Sequence, residues 1–166
     1  NSSGAAHGTT VQDGATLDLN GYSTNDYVSL AGAGVGGNGA LINNSASNVT
    51  VQMLTPTGDF TVGVGGSGAL IAADLTTTAF KLTKIGSGTF TENNAVVRDI
   101  GAIQVDEGIV RNGQGSFRVT RLSGDGPAIL LKGGTSLTGT QFTLGRNTIV
   151  GDQTVQFDPT GASAGA

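Results

Sequence analysis

The sequence predicts an all-β protein wound as a β-solenoid, about seven turns of roughly 20 residues with no significant helix. Three observations point there. A phrase recurs at a fixed interval. Phe60-Thr61-Val62-Gly63-Val64-Gly65-Gly66-Ser67-Gly68, Phe80-Lys81-Leu82-Thr83-Lys84-Ile85-Gly86-Ser87-Gly88 and Ile100-Gly101-Ala102-Ile103-Gln104-Val105-Asp106-Glu107-Gly108 each open on an apolar residue and close on glycine. Composition agrees: glycine supplies 29 of 166 residues and charged residues only 12%, where roughly 7% and 25% are usual. Finally, the glycines that keep phase follow turn formers, which suits many short strands joined by tight corners.

Corner glycines are expected at Gly14, Gly39, Gly68, Gly88, Gly108, Gly126 and Gly145. Before five of them stands Asp, Asn or Ser, whose side groups bond nearby backbone while glycine accepts the sharpened conformation. After each comes a short apolar segment that reads as the next strand. The two widest intervals fall early in the sequence, so bulging loops are expected near 21–26 and near 43–48 or 55–59. The whole protein reads as one domain: a flexible start over 1–8, longer loop-bearing turns over 9–59, regular turns over 60–158 and a flexible tail over 159–166. Strand alternation places Phe60, Phe80, Ile100 and Phe117 in one inward row and Val62, Leu82 and Val119 in another, with like residues stacked turn over turn. Lys81 and Lys84 are assigned to a charged outer face.

Several functions are disfavoured by composition. The formal net charge is −4, whereas nucleic-acid binding needs a clustered basic face. No apolar run approaches the roughly 18 residues that span a bilayer, so no direct membrane insertion is expected. Cysteine is absent, which removes disulfides and thiolate metal sites, and His7 is the sole histidine, which leaves no basis for a Ser-His-Asp triad. Gly32-Ala33-Gly34-Val35-Gly36-Gly37 matches a phosphate-loop spacing, but neither the strand before it nor the helix after it that such a loop requires is predicted. It reads as a glycine-rich turn.

The run Leu82-Thr83-Lys84-Ile85-Gly86-Ser87-Gly88-Thr89-Phe90-Thr91, followed by Gly101-Ala102-Ile103-Gln104-Val105-Asp106-Glu107-Gly108-Ile109-Val110, resembles the autotransporter-associated β-strand repeat. Gly14-Ala15-Thr16-Leu17-Asp18-Leu19-Asn20-Gly21 and Gly39-Ala40-Leu41-Ile42-Asn43-Asn44 look like upstream parts of the same passengers. The resemblance covers about residues 9–113. It implies a single-stranded right-handed β-helix on a bacterial surface or secreted protein, and it implies no catalytic residues.

Two constellations carry candidate chemistry. Asp106, Glu107 and Asp125 fall at corners of adjacent turns when aligned by their glycines. Carboxylates at strand spacing, about 5 Å, suit Ca²⁺ binding or glycoside hydrolysis. The plainer reading makes them corner residues equivalent to Ser67 and Ser87. Lys81, Lys84, Arg98, Arg118 and Arg121 could form a weakly basic stripe that holds an acidic glycan, although such charges usually serve solubility. The protein is therefore expected to be non-enzymatic and structural, extracellular or on a bacterial surface, without cofactor. Its partners would be further copies of itself joined through the solenoid ends into a filament or matrix, with surface glycans as a second class. The alternative is a carbohydrate-active or glycan-binding β-helix.

Overall fold

A computed structural model describes residues 8–76 and 79–114 and the strands Ser116–Val119, Ile129–Lys132, Ser136–Thr138, Phe142–Leu144 and Val155–Asp158. These residues form an all-β parallel solenoid. Each turn runs over three faces in the same order. The first face carries Leu17–Asp18, Leu41–Asn43, the end of the long strand Val49–Val64, then Lys81–Ile85, Ala102–Val105, Ile129–Lys132 and Val155–Asp158. The second carries the start of Val49–Val64, then Leu70–Ala72, Thr89–Glu92, Ile109–Asn112 and Ser136–Thr138. The third carries Gly8–Val11, Thr24–Gly32, the middle of Val49–Val64 and a bridge at Leu75. A separate sheet of Val97–Ile100, Ser116–Val119 and Phe142–Leu144 takes the third face onward. About five turns show all three faces, with incomplete turns at 17–30 and 155–158, which is fewer than the seven expected.

The core lies inside the coil because alternate residues of a strand turn inward and meet the equivalent residue one turn away. On the first face Leu17, Leu41, Val62, Lys84, Val105, Leu131 and Phe157 occupy successive rungs, at steps of 24, 21, 22, 21, 26 and 26 residues. On the second, Val49, Leu70, Phe90, Val110 and Leu137 do the same. Phe60, Phe90, Leu54 and Leu70 are fully enclosed, and each such residue contributes roughly 1.5–3 kcal/mol by leaving water.

The steps correct the expected ladder. Phe60 stacks on Leu82, and Leu82 on Ile103, while Ile100 belongs to the third face and stacks on Val119. Phe80 lies outside the ladder, 37% exposed just before its strand. Phe117 is in register with Arg98 and Phe142 rather than with Phe60. The cause is a corner of variable length. The twenty-residue phase is real on the second face, where Leu70, Phe90 and Val110 stack at that interval. Between the first and second faces, however, the corner shortens from 64–69 to 86–89, so the first-face step must be two residues longer. A count anchored on the corner glycines therefore slips by two when carried back to the first face.

The loops differ from expectation in a related way. The main excursion is 33–40, containing the 3₁₀ turn Val35–Gly37, and eight residues there lie between register pairs that only Thr61 separates on the next turn. Near 25–26 and 57–59 there are only small register shifts inside the ladder, and 44–48 is a corner matched residue for residue by 65–69. Of the expected corner glycines, Gly14, Gly39 and Gly108 take positive φ. Gly88 is required for another reason, since a β-carbon there would come within 2.6 Å of the Gly66 carbonyl oxygen. Gly126 and Gly145 lie outside the described residues.

Polar side groups close the corners by binding backbone of a neighbouring turn. Ser23 Oγ accepts from Thr50 N, Asn48 Oδ1 from Ala69 N and Asp59 Oδ1 from Lys81 N, at 2.9, 2.8 and 2.9 Å. Asn43, fully buried, spans three turns: Oδ1 accepts from Gly21 N and Ser45 N, and Nδ2 donates to the Ser47 and Ala69 carbonyls. Each bond gives a partner to a backbone group at a bend, and those of Asn43 do so away from water.

The corrected ladder makes a ranked prediction. Phe90→Ala should destabilise by about 3–5 kcal/mol, as for a large residue truncated in a packed core, and Phe80→Ala by less than half of that. Urea unfolding of the two variants measures the ranking, and equal losses would restore Phe80 to the ladder.

Candidate functional site

Strand alternation decides the site. With Leu82 inward, Lys84 two residues on follows it inward, and Lys81 turns to the opposite side. Lys84 is fully buried between Val62 and Val105. Its ammonium donates to the carbonyls of Ile85 at 2.7 Å, Gly86 at 2.5 Å and Glu107 at 3.3 Å. These carbonyls belong to two stacked corners, and the Lys84 carbonyl itself accepts from Asp106 N and Glu107 N. The shortened corner turns these acceptors toward one point, and the ammonium meets them there. Burial pushes the Lys84 pKa down from 10.5 to about 8, and the nearby Glu107 carboxylate opposes the shift.

A second buried ionisable residue lies in the same turn. Glu92, fully buried at the end of the second-face strand, accepts from Asn94 N at 2.9 Å and from Asn112 Nδ2 at 3.0 Å. Asn112 occupies the next rung and is itself buried, with no hydrogen bond to its Oδ1. Spacing from the corner glycines does not single out Glu92 and Asn112, but strand alternation does. In Thr89-Phe90-Thr91-Glu92, an inward Phe90 entails an inward Glu92.

Of the two expected constellations, the acidic one falls partly outside the described residues. Asp106 accepts from Gln104 Nε2 at 2.7 Å, and Lys81 Nζ donates to Gln104 Oε1 at 3.4 Å, a polar row along the outside of the first face. Glu107 is exposed and Asp125 lies outside the described residues. No group of three or more acidic or histidine residues that could hold a metal ion occurs among the described residues. The basic stripe is overturned. Lys84 is inside, Lys81 lies on the first face and stacks over Ala102, and Arg98 and Arg118 lie on the third face in register with Phe117 and Asp99. Arg121 lies outside the described residues. Among them, no helix is long and apolar enough to cross a membrane.

What this arrangement can do chemically is tie neighbouring turns together. Lys84 supplies donors where carbonyls converge, and Glu92 supplies acceptors where amides converge. No protein-family model, curated protein or solved structure matches the sequence.

Lys84 gives a pH signature of defined sign. In the folded protein it loses its proton near pH 8, whereas the unfolded protein keeps it to about 10.5. Between those values the unfolded state binds more protons, so stability should rise with pH there, by up to about 1.4 kcal/mol per pH unit. Lys84→Met should abolish the rise and lower stability at neutral pH by about 1–3 kcal/mol through the carbonyls left without a donor. Denaturation at a series of pH values reads both effects, and a flat wild-type profile across that window would contradict the assignment.

Proposed function

We propose that this protein is a structural β-solenoid, extracellular or on a bacterial surface, of the kind its sequence resembles, which builds a filament or matrix by stacking strand on strand. The observation that carries the reading is the state of the ladder edges. Among the described residues, Gly8–Val11 pairs only with Thr24–Gly32, and Leu17–Asp18 only with Leu41–Asn43, so each has a second edge on which a further parallel strand, of this chain or of another copy, can pair. Val155–Asp158 likewise pairs only with Ile129–Lys132. Such edges template pairing with another molecule unless they are covered.

The polar groups support the same reading. The buried ones hold corners together, and the net charge of −4 disfavours nucleic acid as the partner. Catalytic residues and cofactors have no part in this proposal.

Negative-stain electron microscopy and light scattering over a concentration series test it. Fibres or sheets with a solenoid-wide repeat, and a mass that grows with concentration, are expected. Monomers at every concentration and no ordered material would overturn it.

A further inference from the structure

Three Asn-Gly steps occur in the sequence, Asn20-Gly21, Asn38-Gly39 and Asn112-Gly113. Such steps are chemically labile because glycine leaves its own nitrogen open to attack on the preceding carboxamide. The fold treats the three differently. Gly39 N donates to the Ala33 carbonyl at 2.8 Å and Gly113 N to the Glu92 carbonyl at 2.7 Å. The carboxamides beside them are also held: Asn38 Nδ2 donates to the Val35 carbonyl at 3.1 Å, and Asn112 Nδ2 to Glu92 Oε2. At the first step, Gly21 N donates to a carboxamide oxygen, Asn43 Oδ1, at 3.2 Å. Asn20 is exposed, and among the described residues its carboxamide has no hydrogen bond. It is also the one non-glycine residue with positive φ among them, at 43°.

We propose that Asn20-Gly21 is the protein's site of spontaneous deamidation, and that Asn43 on the next turn restrains it by holding the attacking nitrogen. The Gly21 nitrogen adds to Cγ of Asn20, the bond from Cγ to Nδ2 breaks, and Nδ2 leaves as ammonia with the Gly21 proton. Water then opens the succinimide at either carbonyl, giving aspartate or isoaspartate. Both products disturb this corner. A new carboxylate appears two residues from Asp18, which already accepts from Asn20 N. The isoaspartate route adds a carbon to the backbone at a corner packed against Ser45, whose Oγ lies within 2.7 Å of where a β-carbon on Gly21 would sit. Leu19, the adjoining core residue, would lose its fixed seat.

The test is timed incubation of the intact protein in mildly alkaline buffer, followed by peptide mapping of all three steps. Isoaspartate and aspartate should accumulate at Asn20 ahead of Asn38 and Asn112. Asn43→Ala should raise the Asn20 rate about fivefold, the equivalent of one ordinary hydrogen bond of about 1 kcal/mol, without changing the other two. Asn43→Asp, which keeps an acceptor for Gly21 N, should stay near the wild-type rate. Modification led by Asn38 or Asn112 overturns the site. An Asn20 rate indifferent to Asn43→Ala, or a rise at all three steps in both variants, overturns the role of Asn43.

Discussion

Parallel stacking obliges every inward residue to lie against another inward residue one turn away, with backbone hydrogen bonds fixing the separation at about 4.8 Å. Everything else in the solenoid follows from that constraint. A strand cannot slide by one residue without turning its apolar row outward, so variation in turn length is passed mainly to the corners, with small register shifts near 25–26 and 57–59. The shortening from 64–69 to 86–89 and the excursion at 33–40 are places where that variation is absorbed.

Corners are also where the backbone runs short of partners. Within the stacked strands amides and carbonyls meet the neighbouring turns, but a bend rotates some of them away from those partners. Small polar residues answer at the outer corners, as Ser23, Asn48 and Asp59 do. Inside, where an orphaned carbonyl costs more, Asn43 joins three turns through one amide, and Lys84 meets three carbonyls with one ammonium. An ionised group in an apolar row is costly to desolvate. Its charge-assisted bonds to fixed dipoles offset that cost, and the lowered Lys84 pKa records the balance.

This economy bears on function. The buried ionisable residues hold neighbouring turns together, Lys84 through backbone carbonyls and Glu92 through the Asn94 amide and the Asn112 carboxamide. A molecule organised in this way offers its surroundings repeating faces and strand edges.

The sequence by itself determined the class of fold and its repeating logic. Glycine-closed corners, alternating apolar residues and a recurring phrase are local properties, and a period near twenty follows from them. It also contained the inward direction of Glu92, through its spacing from Phe90. Tertiary structure alone decided how one face registers against the next, because that depends on corner lengths set by packing and by which backbone groups find partners. Hence Phe60 rests on Leu82 instead of Phe80, and Lys84 left the surface assigned to it for the core. A strand's pattern says which residues point the same way, but the neighbouring turn decides what each of them meets.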